Sequence, residues 1–266
     1  MPNLTRNKVS YIDRGIGTPL LFLHGNPDTK EMWNGSIDFF SKNYRCIAPD
    51  LPGFGDSFIA DDFSCSLLEY SGWLDTFIED IGLQDPVHLI VHDLGGPVGL
   101  SWAVKHQAKV ISICVTNSLY FSDYRWHFWG RVWRTPLIGE ISNLLMSRWI
   151  YNMEMRRSGP RLPEEHKNMT YQNISDVMKS TILRMYRAFS PNKFGGWEDD
   201  YLLLTQAKPV IVIWGAQDPY IPMSFGFAKR FAQNHECHII DNSGHWVSVD
   251  ANDEFNHLLN SFYITL

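Results

Sequence analysis

Three residues that lie far apart in the sequence have the chemical types needed for covalent hydrolysis at carbon. The first, Asp93, lies in segment 91–96 (VHDLGG), where a buried apolar run leads directly into a helical pattern. A sharp strand-to-helix turn lifts such a side chain above the sheet edge, next to free N–H groups of the helix. A carboxylate placed there can attack an sp3 carbon and form an ester. The alternative interpretation is that Asp93 only caps the helix.

The other two residues, Asp218 and His245, follow the last two strand-like runs of the chain. A histidine in such a loop can be the general base that activates water, and an aspartate can orient its imidazole. Open α/β sheets place their sites at the carboxyl ends of strands, where all three residues fall. The order nucleophile, acid, histidine therefore predicts a catalytic triad. His92, beside the nucleophile, is predicted to point away from Asp93 and to support the turn.

A fourth element is the loop after an early strand, segment 24–27 (HGNP). We expect the backbone N–H groups of Asn26 and Leu94 to form an oxyanion hole for the tetrahedral intermediate. The side-chain amide of Asn26 could also hold a leaving anion. A turn-forming Asn before Pro is the structural alternative.

The elements that must position these residues follow an alternating pattern. Short apolar, β-branched runs predict strands, and the segments between them have helical spacing of apolar residues. This βαβα order predicts an α/β fold with a mostly parallel sheet. The predicted strands are 8–13, 19–23, 45–48, 87–91, 110–116, 210–214 and 237–240, and the predicted helices are 66–83, 95–106, 225–234 and 252–262.

The alternation stops between the strands that end near residues 117 and 210. Segment 118–201 has no clear strand and is too long for a plain loop, so we predict a helical cap inserted into a core of 1–117 and 202–266. Residues 118–200 contain 12 basic and 9 acidic residues, whereas the rest contains 11 and 20. The cap is therefore basic, by plus 3, and the core acidic, by minus 9. We interpret the basic excess as a solvated face.

Composition excludes several classes of protein. The 266 residues carry 23 Lys and Arg against 29 Asp and Glu, with 44% hydrophobic residues, which is typical of a globular domain. The mild acidity argues against nucleic-acid binding, and no apolar run reaches the length of a membrane span, so no membrane partner is expected. Met1 to Asp13 has no long apolar stretch, so it is not a signal peptide, and we expect a cytoplasmic location.

The proposed chemistry needs no cofactor or metal, because a carboxylate, an imidazole and water supply every step. The four cysteines are too few and too scattered for a disulfide framework or a zinc site, and we predict buried, reduced thiols. The expected partners are a small apolar organic substrate and water. Substrate identity and oligomeric state stay open. The cysteines are Cys46, Cys65, Cys114 and Cys237.

Four segments of the chain, 24–27, 45–51, 92–96 and 134–140, are similar to segments of haloalkane dehalogenases. The first three are also shared, with variation, by epoxide hydrolases. The chain thus resembles the α/β-hydrolase superfamily, in its aspartate-nucleophile group, over nearly its whole length. The resemblance implies a cofactor-free hydrolase whose nucleophile, base and triad acid are Asp93, His245 and Asp218, with Asn26 stabilising a halide.

The chain departs from the dehalogenase pattern at Leu94. Haloalkane dehalogenases usually carry a tryptophan there, whose indole N–H donates to the departing halide, whereas leucine has no donor. A cap tryptophan, Trp126 or Trp129, is the candidate replacement. Asn117 lies where some dehalogenases place their acid, but an amide cannot serve, which leaves Asp218. The arginines of haloacetate dehalogenases, one and four positions after the nucleophile, are also missing.

Epoxide opening would instead need an acid at the ring oxygen, which lid tyrosines supply in the related hydrolases. Tyr186 is placed like the second lid tyrosine, and Tyr151 is a candidate for the first. A serine esterase is disfavoured because no Gly-x-Ser-x-Gly occurs at the turn. Haloalkane hydrolysis is therefore the leading prediction and epoxide hydrolysis the alternative. A non-catalytic ligand-binding protein on the same fold is the third possibility.

Overall fold

One twisted sheet of eight strands forms the centre of the computed structural model, which describes residues 3–190, 196–225, 227–233 and 235–266. The strand order is β1-β2-β4-β3-β5-β6-β7-β8, and only the pairings β1–β2 and β2–β4 are antiparallel. The mostly parallel sheet predicted from the sequence is confirmed. The strands are β1 Asn3–Leu4, β2 Ser10–Arg14, β3 Pro19–Leu23, β4 Arg45–Pro49, β5 Val87–Asp93, β6 Val110–Ser118, β7 Val210–Gly215 and β8 Glu236–Ile240.

The strand order reverses its direction at β3. This strand pairs with β4 on one side and with β5 on the other, both in parallel, so that Leu21 lies opposite Ile47 and Leu89. After β5 the chain adds β6, β7 and β8 in sequence order. The loops after β3 and β5 are therefore neighbours, and they open the crevice where doubly wound sheets bind their ligands.

Helices cover both faces of the sheet. The four helices predicted outside the insertion are present within the described residues, although Gly226 and Asn234 of the predicted 225–234 helix lie outside them. The prediction missed α1 and the short β1. The helices are α1 Asn34–Phe40, α2 Leu67–Asp80, α3 Gly95–Lys105, α4 Phe128–Arg134, α5 Ile138–Leu145, α6 Arg148–Ser158, α7 Glu164–Asn173, α8 Asp176–Ala188, α9 Trp197–Ala207, α10 Phe227–Ala232, α11 Val247–Asp250 and α12 Asn252–Ile264.

Helices α4 to α8 lie between β6 and α9 in the chain, and we call them the inserted helices. The predicted boundary between residues 201 and 202 falls inside α9, whose Tyr201 is fully buried and donates to the carbonyl oxygen of Phe231. Helix α9 also contacts α3, which packs directly on β5. It therefore belongs with the layer that covers the sheet, and the division into cap and core remains a prediction.

The sheet is buried on both faces, as the runs of apolar residues along its parallel strands require. Strands β3 and β5 have every residue buried, with alternate side chains entering two apolar clusters. All four cysteines are free thiols, three of them buried and Cys237 partly exposed. Within the described ranges no helix is both long and apolar enough to cross a membrane.

A buried ion pair fixes the loop after β3. The Lys30 ammonium lies 2.6 Å from the carboxylate of Asp50, and the two side chains are 2% and 0% exposed. Asp50 also accepts the backbone N–H of Lys30 at 2.7 Å, so it ties the end of β4 to the loop that contains Asn26. A buried charge without its partner is strongly destabilising.

We expect Lys30→Met to lower the free energy of unfolding by about 3 to 5 kcal/mol, because it leaves the Asp50 carboxylate buried without its cation. Chemical denaturation followed by far-UV circular dichroism measures this change. The exposed Lys42 provides a control, and Lys42→Met should stay near the wild-type value. Equal stability of Lys30→Met and wild type would contradict the assignment.

Candidate active site

The strand order brings the predicted site residues to one edge of the sheet. Asn26, Asp93, Asn117, Asp218 and His245 lie at or just after the carboxyl ends of β3, β5, β6, β7 and β8. These five strands are consecutive neighbours in the sheet. Residues separated by more than 200 positions in the chain therefore meet within a few ångströms.

Asp93 occupies the sharp turn between β5 and α3. Its φ is +47°, a left-handed conformation that few residues other than glycine adopt. The turn fits only because its neighbours are small: a Cβ on Gly95 would lie 2.5 Å from the carbonyl oxygen of His24, and one on Gly25 would lie 2.4 Å from the Asp93 Cβ. Ser118 donates to the Asp93 carbonyl at 2.7 Å and secures the turn from β6.

The two carboxylate oxygens of Asp93 have different surroundings. Oδ2 accepts the backbone N–H of Asn26 at 2.8 Å, whereas Oδ1 lies 3.8 Å from Nε2 of His245. Burial raises the pKa of Asp93, and the charge of His245 and the N–H groups of Asn26 and Leu94 only partly oppose this. The two predicted donors thus both act on this carboxylate, and Oδ1 is the oxygen that faces His245.

Asp218 is held by donors on both of its oxygens. Oδ2 accepts from Nδ1 of His245 at 2.8 Å and from the Asn117 amide at 2.8 Å. Oδ1 accepts the backbone N–H groups of Tyr220 and Ile221 at 2.7 and 3.1 Å. Burial raises the pKa of Asp218, but the charge of His245 and these hydrogen bonds outweigh it, and the net pKa is lowered. Asp218 is therefore an anion beside the imidazole.

His245 is fully enclosed, and its two ring nitrogens have separate partners. Burial lowers its pKa, but the charge and hydrogen bond of Asp218, together with the charge of Asp93, raise it above its usual value. Nδ1–H donates to Asp218, so in the neutral ring Nε2 presents its lone pair toward Asp93. His92 donates from Nε2 to the His245 carbonyl at 3.0 Å. It contacts the histidine loop and leaves the carboxylate of Asp93 untouched.

A largely apolar cavity of about 90 Å³ lies between this edge of the sheet and the inserted helices. Asp93 and His245 line its floor, and side chains from α4, α6 and α8 line the rest. Such a lining favours an uncharged, apolar ligand. The lining includes Asn26, His127, Trp129, Trp133, Met146, Tyr151, Glu154, Met155, Tyr186 and Tyr220.

The hydroxyl of Tyr186 faces two donors in this cavity. Nδ2 of Asn26 lies 3.4 Å from the phenol oxygen, and Nε2 of His127 lies 3.5 Å from it. Burial lowers the pKa of His127 to about 3, so its ring is neutral. Its Nδ1 accepts the backbone N–H of Gly130, which places the single ring proton on Nε2. The phenol oxygen thus accepts two hydrogen bonds, and its own hydrogen is free to be donated.

Of the four residues predicted from the insertion, Tyr186, Tyr151 and Trp129 line the cavity. Trp126 does not; it packs behind Tyr186, with ring centroids 4.8 Å apart. The indole N–H of Trp129 bonds to Glu154, so it is not free for a departing halide. Leu94 is buried in the apolar core, and only its backbone N–H reaches Asp93. Neither tryptophan therefore stands in for the donor missing at this position.

Sequence reasoning missed His127 and Tyr220. Tyr220 packs edge-on against His245, with ring centroids 4.9 Å apart, and donates to Glu154 at 2.8 Å. Its position two residues after Asp218 was a signal that could have been used. His127 gave no comparable signal, because its place depends on how α4 packs over the sheet. Among the described residues no group of three or more acidic, His or Cys side chains could hold a metal ion.

The loop that supplies Asn26 is tied to α7 by Asp28. This buried carboxylate accepts from Thr170 at 2.8 Å and from the indole of Trp246, and it lies 3.2 Å from Nε2 of His166. Burial raises the pKa of Asp28, but the charge and hydrogen bond of His166 outweigh it and lower the pKa to about 2. An inserted helix and the oxyanion loop therefore share one buried anion.

Comparison with known proteins agrees with this geometry. The family model described as the alpha/beta hydrolase fold matches residues 18–251. The chain belongs to the α/β-hydrolase family. This α/β-hydrolase is an enzyme of the group that contains haloalkane dehalogenases and epoxide hydrolases, as its relatives indicate.

Three relatives illustrate the likeness. A cis-3-alkyl-4-alkyloxetan-2-one decarboxylase of Xanthomonas campestris is 34% identical to the α/β-hydrolase over 92% of this chain and 88% of that protein. A haloalkane dehalogenase of Sphingobium indicum is 36% identical over 44% of this chain and 42% of that protein. A laboratory-evolved variant of potato epoxide hydrolase shares the fold, with a TM-score of 0.81, 19% identity and coverage of 100% of this chain and 99% of that one.

We expect Asp218→Asn to lower the pKa of His245 in this α/β-hydrolase, because it removes the largest of the charges that oppose the effect of burial. An NMR titration of the His245 ring measures this shift. Asp123→Asn, which removes an exposed carboxylate paired with Arg230, serves as the control and should leave the titration unchanged. An unchanged His245 pKa in Asp218→Asn would contradict the assigned pair.

Proposed function

We propose that this hydrolase opens strained oxygen rings, of the epoxide or oxetanone type, through an ester between substrate carbon and Asp93. The observation that carries the proposal is the free hydroxyl hydrogen of Tyr186 in the cavity that Asp93 lines. Its oxygen accepts from Asn26 and His127, so the hydrogen is available to a ring oxygen. Burial raises the pKa of Tyr186 well above 10, which keeps the phenol protonated.

In the first step, Oδ1 of Asp93 attacks a ring carbon and the carbon–oxygen bond breaks. The electron pair goes to the ring oxygen, which receives the proton of Tyr186 or its hydrogen bond. The oxygen of an opened epoxide leaves as an alkoxide, which is a poor leaving group without such a donor, whereas a halide and the carboxylate released when an oxetanone opens at its saturated carbon need no proton. The two donors on the Tyr186 oxygen stabilise the negative charge that develops on it.

In the second step, His245 removes a proton from water, which adds to the Asp93 carboxyl carbon. The tetrahedral intermediate carries its negative charge on Oδ2, to which the backbone N–H of Asn26 donates, and the backbone N–H of Leu94 also acts on this group. Collapse breaks the bond between the carboxyl carbon and Oδ1, so Oδ1 leaves on the substrate carbon as an alcohol and the carboxylate is restored with one oxygen from water. The two protons of the water go, through the His245 imidazolium and the added hydroxyl, to the oxygen of this alcohol and to the Tyr186 oxygen. The anionic Asp218 stabilises the imidazolium formed in this step. The inserted helices, as a cap, would exclude other water.

Two features bear on which leaving group we propose. The 34% identical relative is named for an oxetan-2-one, a strained four-membered oxygen ring, which supports a ring substrate here. Carbon–halogen hydrolysis, the leading prediction from the sequence, is the second candidate. The Asn26 amide and the 36% identical dehalogenase segment favour it, but Leu94 supplies no second donor.

His245→Gln should form the ester and then stall, since water is no longer activated, a contribution of about 10²- to 10⁴-fold. Intact mass spectrometry after incubation with an epoxide, an oxetanone and a bromoalkane reads out the adduct and its substrate. The exposed His257 gives the control, because His257→Gln should turn over without accumulating adduct. A substrate that the wild type consumes but that leaves no adduct on Asp93 in His245→Gln would refute the covalent route.

Tyr186→Phe should reduce turnover of an epoxide by about 10²- to 10⁴-fold, because it removes the donor to the ring oxygen. Steady-state rates on matched epoxide and bromoalkane substrates provide the measurement. Tyr44, at the far side of the sheet, gives the control Tyr44→Phe, which should keep wild-type rates. Halide release as the only wild-type activity, unaffected by Tyr186→Phe, would establish the dehalogenase alternative instead.

A further inference from the structure

Helices α5 and α6, together with Leu137 directly before α5, expose seven large apolar side chains, which we call the apolar face. Leu144, Leu137 and Trp149 are 85%, 75% and 72% exposed, although side chains of this size are usually buried. Large exposed patches on a protein surface generally mark an interaction site. The face consists of Leu137, Ile138, Ile141, Leu144, Leu145, Trp149 and Met153.

The spacing of these residues follows one side of each helix. On α5, Leu137, Ile141 and Leu144 are three or four positions apart, as are Ile138, Ile141 and Leu145. The opposite side of α5 is the packed one, because a Cβ on Gly139 would lie 3.0 Å from the Leu183 side chain of α8. The helix is therefore amphipathic with its apolar side facing outward.

Arginines are frequent on the helices of the apolar face, and Glu164 of α7 offsets part of the charge of Arg148 and Arg156. Residues 128–161 contain six arginines and two glutamates. Both glutamates are already paired with arginines, Glu140 with Arg187 and Glu154 with Arg157. Arg131, Arg148 and Arg156 are exposed on α4 and α6. This combination of leucines, a tryptophan and flanking arginines is typical of helices that lie in a membrane interface.

We propose that the apolar face docks on an anionic lipid surface. A second copy of the chain fits less well, because a twofold contact would bring two surfaces with the same arginine-rich charge together. Anionic headgroups meet these charges, and the leucines and Trp149 enter the boundary of the acyl chains. A helix that lies in the interface needs no spanning segment. The sequence-based expectation of no membrane partner depended on the lack of such a segment, and the proposal departs from it.

The cavity reaches the underside of the same face. Asn143 of α5 and Met146, directly after it, line the cavity that contains Asp93. An apolar substrate dissolved in lipid would therefore meet the enzyme at the helix that borders its site. Docking itself does not depend on the proposed function, because its test measures binding without turnover.

The test is co-sedimentation of the full-length protein with vesicles of phosphatidylcholine containing one quarter phosphatidylglycerol, and with pure phosphatidylcholine. We expect binding to the anionic vesicles that weakens with salt and is at least tenfold weaker on neutral ones. Leu144→Asp should reduce binding at least tenfold. Ile16→Asp is the matched control, since Ile16 is also 85% exposed but lies on the β2–β3 loop. Circular dichroism verifies that each variant is folded.

A second variant separates charge from apolar contact. The double change Arg131→Gln and Arg156→Gln should weaken binding to anionic vesicles and leave the apolar face intact. Absence of wild-type sedimentation, or equal binding by wild type and Leu144→Asp, would overturn the proposal. So would a concentration-dependent dimer in light scattering that Leu144→Asp abolishes, because the occupant would then be a second copy.

Discussion

Three ionisable side chains are buried against one another, and this burial is the constraint on which the rest of the site depends. Asp93, Asp218 and His245 are each no more than about 5% exposed. Charges out of water require compensation by hydrogen bonds and counter-charges. Every oxygen of Asp218 and one oxygen of Asp93 has backbone or amide donors, and His245 lies between the two carboxylates. Oδ1 of Asp93 faces His245 instead, and it is the oxygen that the proposed attack on carbon would use.

The fold supplies those donors through sheet order and through small residues. Backbone N–H groups at the ends of β3 and β5 can approach one carboxylate only because these strands are neighbours. Gly25 and Gly95 let the two loops come within van der Waals contact, where any Cβ would collide. The left-handed turn at Asp93 is thus maintained by the tight packing around it, a common arrangement at catalytic positions.

Local patterns in the sequence were enough to predict the positions of the buried strands and the candidate site residues at their ends. Apolar runs marked β3, β5 and β7 to within two residues, and the turn residues beside them pointed to Asp93, Asp218 and His245. The rest depends on contacts between distant segments. No local signal placed His127 next to Tyr186, or put Trp126 behind that tyrosine and outside the cavity. The sequence shows that Leu94 stands where dehalogenases have a tryptophan. Only the structure shows that Trp129 does not replace the missing donor, because its indole N–H bonds to Glu154.

Asp28 links the admission of a ligand past α7 to the position of the backbone N–H of Asn26. The carboxylate is bound to α7 through Thr170, and it follows Asn26, whose N–H donates to Asp93, by two residues. If α7 moves outward to admit a ligand, it pulls on the segment that carries this N–H. Entry and reactivity would then be mutually exclusive states of one loop. Such an enzyme would hydrolyse its ester only while α7 is in place over the site, and bulk water could not hydrolyse the ester before that.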